Sequence, residues 1–319
     1  MDSPRVGVIG VGNMGYHHVR VYSELEKEGL VKLVGIADID GDRVKKVAEE
    51  FGTKAFTNYR ELLREGVDAV NIVVPTRMHY DVSMFFLRNN VHVLVEKPIS
   101  DTIERAEEMI READRRGLIL LVGHIERYNP AVQRLRGEVK NGVLGDIITM
   151  SAKRIGPFNP RVSETSVIID LAVHDIDIMT YILESNPTKV YARSRRVHNE
   201  SHAEDYAIIV LSFENKVDGV IETNRLTPYK ARTLTIVGTK GVSQLDYIEQ
   251  RLIIYGNSSA REVAIQKQEP LKLELKHFIE CVTGKTEPLT PGVVGLNALK
   301  VAHAALKSSE TGAPIQLTW

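Results

Sequence analysis

The stretch that decides the fold is residues 5–15, which read RVGVIGVGNMG. Its first half is a continuous apolar run of the kind that forms a strand buried on both faces of a sheet. Its second half has the glycine spacing GxGxxG, and a helical stretch follows. Glycine is needed there because a side chain would hold a pyrophosphate away from the backbone N–H groups at the start of the helix. A dinucleotide-binding loop is therefore predicted. Its residues are Gly10, Gly12, Asn13, Met14 and Gly15.

An acidic residue, Asp38, ends the next predicted strand, where dinucleotide-binding folds place the group that bonds the adenosine ribose. Its carboxylate would accept hydrogen bonds from both ribose hydroxyls and would repel a 2′-phosphate. Ile39 and Asp40 follow, and neither favours a phosphate. The sequence therefore predicts NAD rather than NADP as the cofactor. Arg43 is a nearby cation that would suit NADP, but its charged helical surroundings favour a solvent-exposed position.

Short apolar runs alternate with amphipathic stretches through residues 1–123, which predicts an NAD-binding Rossmann domain, a doubly wound α/β fold with a six-stranded parallel sheet. The predicted strands are 5–9, 31–37, 54–56, 69–74, 91–95 and 118–122.

Residues 124–319 are predicted to form an α+β domain for substrate binding and oligomerisation. Long alternating strands there follow one another with short turns, as in an open, mainly antiparallel sheet. The predicted strands are 147–155, 190–197, 206–213, 217–224, 232–237, 242–247 and 251–255. Two helices close the chain, 271–282 and 292–308, and the last can pack back on the first domain.

The composition is that of an ordinary globular protein of 319 residues, 43% hydrophobic and 26% charged, with a formal net charge of −1. Nucleic acid or an anionic membrane surface would favour a basic patch, so neither is expected as a partner. No apolar run approaches the roughly 20 residues of a membrane-spanning helix, and no leader-like segment precedes the first strand. The single cysteine, Cys281, is interpreted as a core thiol in a reducing compartment. A cytoplasmic location is therefore expected.

Two further segments fall where strands of the predicted parallel sheet end, which is where doubly wound folds bind ligands. One is 74–79, and the other is Glu96-Lys97-Pro98. A lysine there has a plain interpretation, in which its ammonium group extends to solvent from a buried strand. The alternative is a part in proton transfer, because neighbouring positive charge or partial burial can lower the pKa of a lysine toward neutrality. Position alone leaves both interpretations open.

Asp170 and His174 stand four residues apart, so a helix would point both side chains the same way. Hydride removal from an alcohol needs a base near the hydroxyl, and histidine, with a pKa near neutrality, is the usual one. A pair that merely stabilises a helix face is the plain alternative. Asp175 and Asp177 follow and make a metal site conceivable.

The remaining histidine pairs are given no chemical role. His198 and His202 have the spacing of zinc ligands, but they lie in a polar connection between strands, which favours a solvated loop. His17 and His18 follow the glycine loop and are expected on the helix surface. No metal site is therefore predicted.

The order and approximate spacing of these motifs resemble the Gfo/Idh/MocA oxidoreductase family, and the resemblance covers essentially the whole chain. It implies that Lys97, Asp170 and His174 are catalytic and that the Lys97–Pro98 peptide is cis, an arrangement rare outside X-Pro bonds. One departure is Ala172, where many members have glycine. The sequence therefore leaves open how closely the backbone can be approached at this position. The residues that the resemblance places around the cofactor, besides the glycine loop and Asp38, are Val74, Thr76, His79, Glu96 and Lys97.

The resemblance implies oxidation of a secondary alcohol by hydride transfer to NAD⁺. His174 would remove the hydroxyl proton, Lys97 would bond the same oxygen, and Asp170 would orient or tune the base. Lys97 and His174 can exchange roles, and the sequence does not decide between the two assignments.

Residues 123–132 and 154–161 resemble the nucleotide-sugar members of the family, particularly the UDP-N-acetylglucosamine 3-dehydrogenases. A UDP-sugar carries a pyrophosphate, which arginine binds well because its planar fork matches two oxygens at once. Each arginine here is equally open to interpretation as an ordinary surface charge. The predicted substrate-binding residues are Lys97, Arg127, Asn129, Arg154, Arg161, Asp170 and His174.

Two other functions stay open. One is a myo-inositol or free-sugar dehydrogenase of the same family, and the other is a non-catalytic NAD-binding regulator or redox sensor. In either case residues 207–212 are apolar on both faces of their predicted strand. One face can cover helices and the other a second subunit, so a homodimer or homotetramer is predicted.

Overall fold

The computed structural model describes residues 3–160, 165–256 and 259–319. The chain divides into two compact units, Met1–Ile125 with Glu269–Leu296 and Glu126–Gln268 with Asn297–Trp319. These units differ from the predicted ranges 1–123 and 124–319 mainly at Glu269–Leu296, which belongs to the first unit. A backbone hydrogen bond joins this segment to the first unit: the N–H of Val122 donates to the carbonyl of Thr290 at 2.9 Å.

The first unit is a doubly wound α/β fold, and its six-stranded parallel sheet confirms the prediction. The strand order is β3-β2-β1-β4-β5-β6. The strands are β1 (Arg5–Ile9), β2 (Lys32–Ala37), β3 (Ala55–Phe56), β4 (Ala69–Ile72), β5 (His92–Glu96) and β6 (Leu120–Gly123). The helices are α1 (Asn13–Lys27), α2 (Gly41–Phe51), α3 (His79–Arg88), α4 (Ile103–Arg116) and α7 (Pro270–Val282).

The apolar runs form parallel strands because helices cover both faces of the sheet, so successive side chains are all buried. β1 is buried from Val6 to Ile9, and β4 is buried along its whole length. The order of the strands reverses between β1 and β4, and folds of this type bind ligands at the carboxyl ends of strands beside that point. The glycine loop and the segments after β4 and β5 all lie at those carboxyl ends.

The second unit contains a nine-stranded sheet in the order β14-β13-β12-β11-β7-β10-β9-β8-β15. Among the strands in the described residues, only β7 and β10 are paired in parallel, which confirms a mainly antiparallel sheet. The strands are β7 (Ile147–Ile155), β8 (Pro187–Arg195), β9 (Tyr206–Phe213), β10 (Asp218–Asn224), β11 (Ala231–Gly238), β12 (Gly241–Asp246), β13 (Arg251–Tyr255), β14 (Ala260–Glu262) and β15 (Ile315–Gln316). The remaining helices are α5 (Pro130–Lys140), α6 (Val173–Leu183) and α8 (Gly292–Thr311).

The two faces of β9 differ in burial within this unit. Ala207, Ile209 and Leu211 are fully buried, whereas Ile208 on the other face is 38% exposed. Apolar side chains therefore reach the surface of the unit on that face of the sheet, and the predicted homo-oligomer stays a prediction. In the part of the chain that the structure describes, no helix combines the length and the apolar character needed to cross a membrane.

Candidate active site

The glycine loop joins β1 to α1, and its three glycines are needed for different reasons. Gly10 has a φ of +85°, and a Cβ there would lie 2.3 Å from the carbonyl oxygen of Val73. A Cβ on Gly15 would lie 1.9 Å from the carbonyl oxygen of Gly10. A Cβ on Gly12 would meet no described atom within 4 Å. Gly12 also gives α1 no side-chain cap. The loop thus combines open space with the first N–H groups of a helix, an arrangement that fits a pyrophosphate.

Asp38 follows β2 and is held by two backbone groups. Its Oδ2 accepts a hydrogen bond from the N–H of Val11 at 2.8 Å, and its Oδ1 accepts one from the N–H of Asp40 at 2.9 Å. Each carboxylate oxygen can accept a second hydrogen bond, as ribose hydroxyls would require. Arg43 lies on an exposed helical surface, as expected, and donates to Asp40 at 2.7 Å. The position and fixation of Asp38 therefore fit NAD.

His79 connects the two segments that follow β4 and β5. Its Nδ1 lies 2.8 Å from the carbonyl oxygen of Pro98, and its Nε2 lies 2.9 Å from that of Val74. Burial lowers the pKa of His79, although both carbonyl contacts act to raise it. A neutral imidazole has one N–H and donates to one of these carbonyls at a time. The Lys97–Pro98 peptide is cis, which confirms the prediction, and Thr76 begins a single 3₁₀ turn, Thr76–Met78.

The prediction that His18 lies on the surface of α1 is wrong. His18 is fully buried, and its Nε2 lies 3.1 Å from Oε1 of Glu96, whereas His17 is exposed as expected. Sequence reasoning missed this contact because 78 positions separate the two residues. The motif residue Glu96 is therefore tied to the helix that follows the glycine loop.

Asp170 and His174 lie on consecutive helical turns in the second unit. Asp170 belongs to a π-helical turn, Ile168–Ala172, and His174 to the first turn of α6. π-Helical turns are frequent at functional sites. Ala172, the departure from the family pattern, is fully buried in this turn. Lys97 belongs to the first unit, so its part in the predicted catalytic trio stays a prediction.

Arg225 holds Asp170, and sequence analysis did not single it out. Its Nη2 donates to Oδ2 of Asp170 at 2.6 Å, and its Nη1 donates to the carbonyl of Thr165 at 2.7 Å. The arginine is only 4% exposed. No local sequence signal marks it, because 55 positions separate the guanidinium from the carboxylate.

Two of the predicted substrate arginines are buried in ion pairs. Arg127 donates to both oxygens of Asp177, from Nε at 2.9 Å and from Nη2 at 2.7 Å. Arg154 donates to Asp175 at 2.8 Å and to Glu126 at 3.0 Å. Burial acts to lower the pKa of Arg154, but the charges of Asp175 and Glu126 outweigh burial and raise it. Both guanidinium groups are thus committed to carboxylates, which favours a structural role over pyrophosphate binding.

The polar atoms of Asn129 are also used within the second unit. Its Oδ1 caps α5 by accepting from the N–H of Ala131 at 3.0 Å, and its Nδ2 donates to the carbonyl of Tyr247 at 3.0 Å. This arrangement does not support the predicted contact with a sugar. Arg161, the third predicted arginine, lies outside the described residues.

Arg232 is a cation of the same cluster that sequence analysis missed. It lies directly opposite Arg154 in the pairing of β11 with β7, and its side chain is 41% exposed. Burial and the charge of Arg154 lower the pKa of Arg232, whereas the charges of Glu126 and Asp170 act to raise it. The sequence does offer one signal for Arg232: it is a charged residue on the strand face that also carries the apolar residues Leu234 and Ile236. Its exposed fraction makes Arg232 better suited to an anionic substrate than Arg127 or Arg154, which are buried.

No group of three or more His, Cys, Asp or Glu side chains that could hold a metal ion occurs in the described ranges 3–160, 165–256 and 259–319. Asp175 and Asp177 pair with arginines instead. His198 stacks on Phe158 with ring centroids 3.9 Å apart.

Comparison with known families agrees with the fold and the loop. Residues 4–124 match the family model described as the oxidoreductase family with an NAD-binding Rossmann fold, and residues 132–244 match the GFO/IDH/MocA C-terminal domain. The chain therefore belongs to the Gfo/Idh/MocA oxidoreductase family. It is an NAD-dependent oxidoreductase, and its first unit carries the glycine loop and Asp38 that fit the cofactor.

Similar proteins include dehydrogenases of two substrate classes. The UDP-N-acetylglucosamine 3-dehydrogenase of Acidithiobacillus ferrooxidans is 31% identical over 308 residues, covering 93% of this chain and 95% of that protein. A solved structure of that enzyme matches with a TM-score of 0.89 and 30% identity, covering 98% of this chain and 99% of its own. The myo-inositol 2-dehydrogenase of Thermotoga maritima is 27% identical, covering 98% of each protein. These relatives confirm the predicted enzyme class and leave the substrate between a nucleotide sugar and an inositol.

Proposed function

We propose that the chain oxidises a secondary alcohol of a nucleotide sugar to a ketone, at C3 of UDP-N-acetylglucosamine or a closely related UDP-sugar. The identity of 31% over nearly the full length of an enzyme of that name supports this substrate. The structural observation that carries it is the side chain of Arg232 in the second unit, which is 41% exposed and interacts electrostatically with Asp170. A substrate without a phosphate would not need that cation.

The proposed chemistry assigns one role to each residue of the trio. NAD⁺, held by the glycine loop and Asp38, would supply the hydride acceptor. His174 accepts the proton of the sugar hydroxyl, and Lys97 donates a hydrogen bond to the same oxygen and stabilises the charge that develops on it. Asp170, held by Arg225, orients His174. The alternative assignment makes Lys97 the base and His174 the hydrogen-bond donor.

Arg232 is suited to a pyrophosphate by its geometry and by its loose attachment. Its Nη1 lies 4.0 Å from Oε1 of Glu126, which is longer than a hydrogen bond. A guanidinium can donate to two phosphate oxygens in one plane, and an ammonium group cannot. We therefore propose Arg232, in place of Arg127 and Arg154, as a contact for the substrate phosphates.

The experiment that tests this function follows reduced-nicotinamide absorbance when the purified protein and NAD⁺ meet UDP-N-acetylglucosamine, myo-inositol or glucose. Lys97→Ala and His174→Ala serve as catalytic controls. The expected result is that the absorbance of the wild-type protein rises with the UDP-sugar and with neither other substrate. The two variants are expected to show no rise. A rise with myo-inositol or glucose alone contradicts the proposed substrate.

The second candidate is an inositol or free-sugar dehydrogenase, which is favoured by the 27% identity to the Thermotoga maritima enzyme over 98% of the chain. Inhibition by UDP separates the two, because only an enzyme with a nucleotide-phosphate contact is expected to bind it. If the protein binds NAD⁺ but the absorbance changes with none of the three substrates, the non-catalytic regulator or sensor is favoured.

We further propose that the protein is a homodimer or homotetramer associated through the open face of the second unit's sheet. The apolar residues on that face include Ile208, which is 38% exposed, and the partly exposed Val210. Burying such side chains against a second copy would remove apolar surface from water. Light scattering at micromolar concentration tests this proposal, and a monomer contradicts it. The cytoplasmic location stays a prediction.

A further inference from the structure

A chain of buried polar side chains runs through the first unit to Glu96, the residue before Lys97. The hydroxyl of Tyr22 lies 2.7 Å from Oδ1 of Asn71. Nδ2 of Asn71 lies 2.9 Å from Nδ1 of His18, and Nε2 of His18 lies 3.1 Å from Oε1 of Glu96. Tyr22, Asn71 and His18 are fully buried. The proposed proton transfer uses none of these three side chains, so their arrangement calls for another explanation.

The donors of this chain all point toward Glu96. The Tyr22 hydroxyl donates to the amide oxygen of Asn71, so the amide nitrogen of Asn71 faces His18. An amide nitrogen only donates, and therefore Nδ1 of His18 accepts and carries no hydrogen. The single hydrogen of the imidazole is then on Nε2, which donates to Glu96. The network thereby assigns the tautomer of His18 and the direction of every bond.

Glu96 is one of two carboxyl groups in this buried region, and the other is Glu274 on α7. Burial acts to raise the pKa of Glu96, but the hydrogen bond from His18 and the charge of Lys97 outweigh burial and lower it. Burial and the charge of Glu96 raise the pKa of Glu274 well above its ordinary value. Neither oxygen of Glu274 has a hydrogen-bond partner among the described residues. Because the Glu96 carboxylate lies within hydrogen-bond distance of two N–H donors whereas Glu274 meets none among the described residues, we infer that Glu96 carries the negative charge and that Glu274 is neutral.

The ionised carboxylate is fixed on three sides. Its Oε1 accepts from His18, and its Oε2 accepts from the backbone N–H of Lys97 at 3.2 Å. A Cβ on Gly123 would lie 2.9 Å from Oε2, so the backbone of β6 packs directly against the carboxylate. The charged and titratable groups that act on Glu96 are His18 from α1, His79 from α3, Glu274 from α7 and its neighbour Lys97.

We propose that His18 and Glu96 are positioning residues for Lys97: the Nε2–H of His18 fixes the Glu96 carboxylate, which in turn holds the backbone N–H of Lys97. This inference rests on the proposed catalytic role of Lys97. The chain Tyr22–Asn71–His18 sets the tautomer that makes the contact possible. Turnover then depends on a donor at position 18 that never touches the substrate.

Glu96→Gln and Glu274→Gln form a matched pair that replaces each buried carboxyl group by an amide. His18 and Lys97 face different oxygens of Glu96, and glutamine replaces one of these oxygens by an NH₂ group, which cannot accept. The turnover number is expected to fall about 10- to 100-fold, as for a slightly misplaced catalytic group. Glu274→Gln exchanges one neutral group for another and is expected to retain wild-type turnover. Equal turnover in the two variants would overturn the inference.

His18→Gln and His18→Met separate positioning from packing. Glutamine keeps an N–H donor that can reach Glu96, whereas methionine fills a similar volume without a donor. Turnover is expected to survive in His18→Gln and to fall in His18→Met by as much as in Glu96→Gln. Equal losses of turnover in the two variants would mean that His18 only fills space, and the inference would be wrong.

Two measurements need no substrate and so distinguish this inference from the proposed function. Nitrogen NMR of the wild-type protein is expected to show His18 with hydrogen on Nε2 alone, and hydrogen on Nδ1 would overturn the inference. Exchange of the Lys97 amide hydrogen is expected to be faster in Glu96→Gln than in Glu274→Gln, and equal exchange would also overturn it. An absence of turnover with every sugar tested would reject the proposed function and leave these two results to decide the inference.

Discussion

Arg225, the residue that follows β10, lies with its Nη2 2.6 Å from Oδ2 of Asp170 in the predicted catalytic segment. The other terminal nitrogen of Arg225 is fixed by the Thr165 carbonyl at 2.7 Å, so the guanidinium is held at both ends. Charge-assisted hydrogen bonds of this length are strong and directional. Asp170 and His174 lie on consecutive turns, and we propose that Asp170 orients His174, the base. Arg225 therefore holds the residue that orients the base.

Replacing Arg225 with methionine is expected to destabilise the protein by about 1–3 kcal/mol, less than the loss of one partner from a fully buried pair. The discount applies because the Asp170 side chain is 26% exposed. Urea unfolding measures the change. Asp170→Asn in the same background is expected to recover part of the loss, since a neutral amide needs no cation. A double variant no more stable than Arg225→Met would contradict this account.

Gly12→Ala and Gly15→Ala separate cofactor binding from folding. A Cβ on Gly12 meets no described atom within 4 Å, so this variant is expected to keep the melting temperature of the wild-type protein without NAD⁺. It is expected to lose the rise in melting temperature that NAD⁺ produces, because the methyl group occupies space that fits a pyrophosphate. Gly15→Ala is expected to melt lower even without NAD⁺. Wild-type stabilisation of Gly12→Ala by NAD⁺ would refute this placement of the pyrophosphate.

Arg232→Ala is expected to raise the KM for the UDP-sugar about 10- to 100-fold, since a hydrogen bond to a charged group contributes about 1.5–3 kcal/mol. The KM for NAD⁺ should not change. Lys153→Ala is the matched control, because Lys153 lies beside Arg154 in β7 on the opposite face of the sheet and is 49% exposed. Steady-state kinetics on both variants gives the comparison. An equal effect of the two substitutions would show that general surface charge, and not Arg232, attracts the substrate.

Local patterns sufficed for the parts of the fold that depend on neighbouring residues. The glycine loop follows an apolar strand directly, and the predicted bounds of β1, β7, β9 and β13 agree with the structure residue for residue. In each of these strands the apolar pattern stops where a turn or a glycine begins. Such boundaries are legible because strand and turn propensities change within a few residues.

The residues whose surroundings the sequence did not reveal are those with partners distant in sequence. Arg127 and Arg154 stand in segments that resemble a substrate site, but their carboxylate partners follow 50 and 21 positions later on α6. His18 has the surroundings of a surface helix, and its contact with Asn71 spans 53 positions. A sequence identifies ionisable side chains, whereas the tertiary fold decides whether a guanidinium faces a carboxylate or a ligand.

Cys281 is expected to be unreactive in the folded protein. Burial, aided by the charges of Glu280 and Glu287, raises the pKa of its thiol to about 12. Near pH 8 only about one thiol in ten thousand is then ionised, and the thiolate is the reactive form. An unfolded thiol has a pKa of about 8.5, so it ionises first as the pH rises, and folding stability should fall above that pH. The reaction rate with an aromatic disulfide reagent near pH 8 tests this, with urea-unfolded protein and Cys281→Ser as controls. Equal rates in native and unfolded protein would contradict the prediction.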